Sequence, residues 1–352
     1  MAKFAYSNVE IKGLAVSVPK MVFDNRKDNP YFSEAEIENI IRKTGIEKRR
    51  IASKDVCSSD LCFSAAENLL EEMAVDRSTI DVLIFVSQTP DYKMPATGIT
   101  LQDRLGLEQA CAAFDVNLGC SGFVYGLNLA FNLALHPNIR RVLLLNGETR
   151  TKVYSMKDKK TGLLFGDAGS ACLVEKTGKK LSSFFCLRSD GSRSHYIMIP
   201  AGGYRKPTTF ESLIEKQYED GSIRTEEHGV MDGSAVFDFT IRDVPKNIQE
   251  TLEFAKVCVD ELDYVILHQA NQFITNHIAK KLNISLEKVP HSLDRYGNTS
   301  SVSIPLTMVS EIACPLQDKH NKILISGFGV GLSWGTAILE TNKVHISPII
   351  EV

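Results

Sequence analysis

The chain predicts an α/β fold made of two related halves, and three observations carry that reading. Short apolar runs alternate with segments of helical period along the whole length. The order of runs in the first half recurs in the second at a near-constant offset of about 180 residues. The composition, 352 residues with 43% hydrophobic and 24% charged, is that of a chain able to bury a large core.

The elements follow in order. Residues 64–73 read as a helix and 80–87 as a buried strand. Residues 113–118 read as a second strand, 122–135 as a helix and 141–146 as a third strand. In the second half, 264–268 read as strand, 275–282 as helix, and 322–326 and 336–340 as strands. Asp81-Val-Leu-Ile-Phe is echoed by Asp263-Tyr-Val-Ile-Leu, and Val142-Leu-Leu-Leu by Ile323-Leu-Ile-Ser. Arg104-Leu-Gly-Leu is echoed by Lys281-Leu-Asn-Ile. Each echo alone is weak, because apolar strands look alike. Their shared offset marks a duplicated unit, with halves at 1–178 and 179–352. Equivalent loops would then meet near a pseudo-two-fold axis, and such a seam is a natural place for a ligand pocket.

Several classes are excluded. The net charge of −3 gives no electrostatic case for nucleic acid. The longest apolar runs, 82–86 and 142–145, fall far short of the ~20 residues that span a bilayer. The opening residues carry no signal-peptide core, so a soluble, cytoplasmic protein is expected. Eight cysteines occur without a CxxC pair, which argues against a structural zinc site. The default reading of any one of them is a small buried apolar residue in a reducing compartment.

Three loop ends stand out. Gly119-Cys120-Ser121-Gly122 follows the strand at 113–118 and opens a helix. A helix N-terminus favours thiolate over thiol, so Cys120 reads either as a nucleophile or as a core cysteine behind a strand. His268 also ends a strand just before a helix, where a lone histidine is more often a satisfied structural residue. Gly297-Asn298 is an ordinary turn signal, yet Asn298 lies at nearly the repeat offset from Cys120. Finally, Gly327-Phe-Gly-Val-Gly-Leu-Ser-Trp-Gly follows the strand at 322–326. Its glycines precede another strand rather than a helix, which argues against a dinucleotide loop. A glycine-dense turn can instead offer backbone N–H groups to a substrate oxygen.

Taken together, Asn117-Leu-Gly-Cys-Ser-Gly-Phe, Leu267-His-Gln-Ala-Asn, Arg295-Tyr-Gly-Asn-Thr-Ser and 327–335 resemble the motifs of β-ketoacyl-acyl-carrier-protein synthase III. Lys43-Thr-Gly-Ile-Glu-Lys-Arg and Phe165-Gly-Asp-Ala-Gly-Ser-Ala extend the similarity over nearly the whole chain, in the same order. The resemblance implies a thiolase-like fold: duplicated βαβαβαββ halves in a five-layered α-β-α-β-α arrangement, usually a homodimer. It implies a decarboxylative condensation that initiates fatty-acid or related lipid synthesis. Cys120 would hold the acyl primer. His268 and Asn298 would steady the enolate left when malonyl-acyl-carrier protein loses carbon dioxide. Backbone groups of Cys120, Gly329, Val330 and Gly331 would serve the oxyanion of acyl transfer. Partners would be an acyl carrier protein and an acyl thioester, with no metal or redox cofactor. Two other readings stay open: acyl transfer from Cys120 to an alcohol or amine without condensation, and a silent partner subunit of another synthase.

The sequence departs from the family's pattern in places. Asn39 stands where relatives that take acyl-CoA stack a tryptophan on the adenine, and Lys159 where an arginine covers its other face. Phe273 replaces a carrier-binding arginine, whereas Lys280 and Lys281 match the family's basic helix. The primer can therefore arrive on CoA or on a carrier protein. Met94 matches a residue that crosses the dimer to close the partner's acyl pocket. Segment 204–230 is long, polar and charged, and reads as a lid or a solvent-facing insertion.

Overall fold

The computed structural model describes residues 2–352. Among them, two large sheets lie with helices between and outside them. The first runs in the order His345–Ile346, Val9–Val18, Asp167–Lys176, Arg141–Thr149, Ile80–Val86, Ala112–Val116, and Ile350–Glu351 also pairs with Val9–Val18. The second runs Ala2–Ser7, Ser182–Ser189, Ser333–Asn342, His320–Gly329, Tyr264–Leu267.

The duplication is visible in the strand directions. In the first sheet Val9–Val18, Asp167–Lys176, Arg141–Thr149 and Ile80–Val86 are joined antiparallel, antiparallel, then parallel. Ser182–Ser189, Ser333–Asn342, His320–Gly329 and Tyr264–Leu267 repeat that sequence of directions. The echoing runs fall in matching strands, and the third echo ends two matching helices, Thr97–Arg104 and Gln272–Lys281.

Burial explains why these segments take these forms. The parallel strand Ile80–Val86 is buried along nearly its whole length, and so carries a continuous apolar run rather than an alternation. Helix Gly122–Ala134 is apolar nearly all round because it lies between the sheets. Its Val124, Leu127 and Phe131 share one core with Val16 and Leu144 of the first sheet and Phe185 and Ala337 of the second. Phe131 meets Tyr6 and Phe185 edge-on, with ring centroids 5.8 Å and 5.6 Å apart. Helix Ser303–Glu311 lies in the same middle layer. Helix Ser58–Glu72 covers the outer face of the first sheet, and Gly233–Ala255 with Gln272–Lys281 covers that of the second. The result is the α-β-α-β-α stack that the resemblance implied.

Some boundaries differ from the sequence reading. The strand expected at 141–146 continues to Thr149, because its ladder partner does: Glu148 faces Ala168 and Thr149 faces Asp167. The helix expected from residue 64 begins at Ser58, where the Asp60 carboxylate accepts from Cys57 N at 2.8 Å. The glycine-rich 327–335 is mostly hairpin. Gly327, Phe328 and Gly329 still pair with Gly335, Trp334 and Ser333, leaving 330–332 as the turn. Glycine removes side chains, not ladder partners.

Segment 204–230 is strapped to the first half. Ile223 N donates to Lys157 O at 3.1 Å and Gly229 N to Val153 O at 2.8 Å. Arg224 pairs with buried Asp158 at 2.9 Å. Among the described residues, no helix is long and apolar enough to cross a membrane.

Candidate active site

Cys120 sits between strand Ala112–Val116 and helix Gly122–Ala134, with Ser121 as the helix N-cap. A helix N-terminus carries unpaired N–H groups and favours negative charge near it. Gly329 makes the space: a Cβ on it would lie 2.6 Å from Cys120 Cβ and 2.7 Å from Sγ. The hairpin thus lies directly against the thiol.

Burial alone pushes a thiol up, as it does for Cys57, Cys62, Cys111, Cys172 and Cys186. Cys120 is buried too, yet its thiol is lowered to about 6. The charge and hydrogen bond of His268, the charge of Arg150 and the N–H of Val330 together outweigh desolvation. All eight cysteines are free.

His268 follows strand Tyr264–Leu267, and its N–H donates to Ser326 O at 2.8 Å. Its ring stands edge-on to Phe328, centroids 5.4 Å apart. Nδ1 lies 2.7 Å from Ser303 Oγ, which already accepts from Gln269 N at 3.3 Å. Ser303 thus holds the ring by Nδ1 and leaves Nε2 as the nitrogen available to Cys120 and to a substrate oxygen.

Asn298 is clamped across the seam between halves. Its N donates to Leu164 O at 2.9 Å and its O accepts from Gly166 N at 3.2 Å. Oδ1 accepts from Ser300 N at 2.9 Å, so Nδ2 remains as a free donor.

Cys120, His268 and Asn298 meet on one small cavity of about 50 Å³, also walled by Phe328, Gly329 and Val330. It adjoins a recess of about 370 Å³ that includes Gln88 and Gly331, and the two share Arg150, Tyr154, Ile197 and Val330. The wall residue Met231 lies just past segment 204–230, and Tyr154 is packed against Gly229. The segment itself lines neither cavity; Gly229 packs behind the wall residue Tyr154.

Other expected residues lie elsewhere. Met94 is 75% exposed and does not reach the cavity of its own chain. Lys280 and Lys281 end helix Gln272–Lys281 on the surface, where Lys281 Nζ donates to Ile241 O at 2.7 Å. Phe273 is exposed and stacks on Phe237. Asn39 accepts from Arg42, and Lys159 pairs with Glu36 at 2.8 Å.

Sequence reasoning missed Glu148, Arg150 and the roles of Ser300 and Ser303. Glu148 and Arg150 are buried beside Cys120, and Arg150 Nη2 donates to Gln88 Oε1 at 2.6 Å and Ser300 Oγ at 3.1 Å. Burial pushes the Glu148 carboxyl up to about 7, against the pull of Arg150. The available signal was two charged residues continuing a buried apolar strand.

Comparison with known proteins places the chain in a family. The family model described as 3-oxoacyl-[acyl-carrier-protein (ACP)] synthase III matches residues 114–191, and its C-terminal counterpart matches 252–341. The chain is 37% identical over 332 residues to the β-ketoacyl-[acyl-carrier-protein] synthase III of Streptococcus gordonii, covering 94% of this chain and 98% of the relative. It is 32% identical over 352 residues to a putative 3-oxoacyl-[acyl-carrier-protein] synthase 3 of Campylobacter jejuni, covering 99% and 98%. The crystal structure of a 3-oxoacyl-(acyl-carrier protein) synthase from Burkholderia xenovorans superposes with a TM-score of 0.93 at 35% identity, over 100% of this chain and 99% of that one. The chain belongs to the 3-oxoacyl-[acyl-carrier-protein] synthase III family.

Proposed function

We propose that this protein condenses a Cys120-bound acyl primer with malonyl-acyl-carrier protein, releasing carbon dioxide and a β-ketoacyl-acyl-carrier protein. The observation that carries the reading is one cavity holding a buried thiol lowered to about 6, the Nε2 face of His268 and the free Nδ2 of Asn298.

The Cys120 thiolate attacks the carbonyl of an acyl thioester. A new C–S bond forms, the old one breaks, and the donor's thiolate leaves and takes up a proton. The N–H groups of Cys120 and of the turn formed by Gly329, Val330 and Gly331 hold the tetrahedral oxyanion. Storing the acyl group splits the reaction into two half-reactions with ping-pong kinetics. Malonyl-carrier protein then enters the vacated cavity. Its C–CO₂ bond breaks, and the electron pair moves onto the thioester as an enolate. His268 Nε2–H and Asn298 Nδ2–H donate to that oxygen as its charge grows. The enolate carbon attacks the Cys120 thioester, a C–C bond forms, and the cysteine leaves as thiolate.

The apolar walls, Phe165, Phe328 and Val236, keep water from the acyl-enzyme. The exposed Lys280 and Lys281 offer positive charge to an acidic carrier protein. In a homodimer, exposed Met94 closes the partner's acyl pocket. The enzyme works in the cytoplasm, where acyl carriers are made.

Release of carbon dioxide from malonyl-carrier protein tests the reading. Asn298→Ala is expected still to accept an acyl group on Cys120 but to lose decarboxylation by about 100-fold or more, the usual effect of deleting one such donor. Unchanged release in both Asn298→Ala and His268→Ala would refute it.

A further inference from the structure

The acyl group on Cys120 meets more than apolar walls. Arg150 is buried, and its guanidinium packs against Gly119, the residue before the nucleophile. A Cβ on Gly119 would lie 2.5 Å from Arg150 Nη2 and 2.4 Å from Gln88 Oε1, so only glycine lets the two polar groups come this close. Ser300 Oγ accepts from Arg150 Nη2 at 3.1 Å and stands 3.9 Å from Cys120 Sγ. One hydroxyl therefore separates the guanidinium from the acyl-bearing sulfur.

The guanidinium is only half used. Nη2 has its partners, but Nε is buried with no hydrogen bond: Glu148 Oε2 lies 3.5 Å away and out of line. Nη1 makes no hydrogen bond among the described residues. A buried donor left open is costly, more so when charged. The charge is also incompletely offset, because burial keeps Glu148 partly protonated near neutral pH. Arg150 lines the wall shared by the Cys120 cavity and the larger recess, where Gln88, Asn117 and Ser194 add polar groups. A plain alkyl chain placed there would lie against Arg150, Gln88, Asn117 and Ser194 and form hydrogen bonds with none of them.

We propose that the recess selects an acyl group carrying a hydrogen-bond-accepting oxygen (hydroxyl, oxo or carboxylate) a few bonds from its thioester carbon, and that Arg150 recognises that oxygen. The proposal rests on the reading that Cys120 carries the acyl group. It names the class of primer and makes Arg150 the residue that sets specificity. The bond changes at Cys120 are those already given; the added oxygen is held, not transformed.

The test is single-turnover acylation of Cys120 by butanoyl, 3-hydroxybutanoyl, 3-oxobutanoyl and succinyl pantetheine thioesters, read by intact-protein mass. At least one oxygenated donor is expected to load about tenfold to a hundredfold faster than butanoyl, the range for a hydrogen bond to a charged group. The donor that wins identifies the oxygen. In Arg150→Leu that ratio is expected to fall to about one, and Arg150→Lys, a smaller change that keeps the charge, is expected to reduce it. Ratios are taken within one variant, so a general loss of thiolate cancels. Butanoyl loading as fast as every oxygenated donor would overturn the proposal and leave the Cys120 reading standing. A ratio kept in both Arg150 variants would overturn the role of Arg150. Failure of all four donors to load would overturn the Cys120 reading as well.

Discussion

At the scale of single residues, the site depends on one thiol that behaves unlike the other buried ones. Alkylation of Cys120 by iodoacetamide, followed against pH, is expected to rise through a midpoint near 6, because the thiolate is the reactive form. In His268→Ala the midpoint is expected to move up, since the largest favourable influence on the thiolate is gone. A midpoint near the ordinary thiol value of 9 in the wild type would contradict the geometry. Glu148 has the opposite shift. Its folded pKa, about 7, lies above its ordinary 4.5, so the folded state binds more protons in that window. Stability should therefore fall as pH rises from about 4.5 through 7, and urea unfolding of Glu148→Gln should lose that slope. Cys120, His268 and Asn298 could be named from the sequence because their motifs together resemble a known family; locally each also reads as a core cysteine, a structural histidine or an ordinary turn. Glu148 and Arg150 could not be named, because what makes them functional is a distance across the fold. Arg150 meets Ser300, half the chain away, and nothing local announces that.

At the scale of elements, the hairpin and the central helix together set the geometry of the nucleophile. Gly329→Ala puts a methyl group where Cys120 Cβ and Sγ already are. It is expected to cut acylation about 100-fold or more, the usual penalty for a displaced reacting atom, while circular dichroism shows an intact fold. Full acylation activity in that variant would mean that the hairpin does not press on Cys120. The existence and type of the main elements were legible from apolar runs. The end of strand Arg141–Thr149 and the extent of the hairpin were not, because ladder partners elsewhere in the chain keep polar or glycine residues in strand. The attachment of 204–230 to the first half was not legible either, because it is made by tertiary contacts to Lys157, Val153 and Asp158.

At the scale of the whole molecule, the two halves were legible from the shared offset, but their exchange of terminal strands was not. Ala2–Ser7 closes the edge of the second sheet against Ser182–Ser189, while His345–Ile346 and Ile350–Glu351 join the first. The last two are too short to carry a periodic signal. Arg50 holds Glu351 at 2.7 Å, and Ile346 is buried. A chain ending at Lys343 is expected to melt about 5 °C or more below the full chain; an unchanged Tm would show that the exchanged strands add nothing. The two halves matter together because the seam brings Cys120 from one and His268 and Asn298 from the other onto one cavity. The most direct test of stored acylation followed by condensation is a chase read by intact-protein mass. Protein loaded with an acyl thioester should carry one adduct on Cys120, absent from Cys120→Ala. Adding malonyl-carrier protein should remove it with release of one equivalent of carbon dioxide. An adduct on another residue, or one on Cys120 that malonyl-carrier protein does not discharge, would contradict the account.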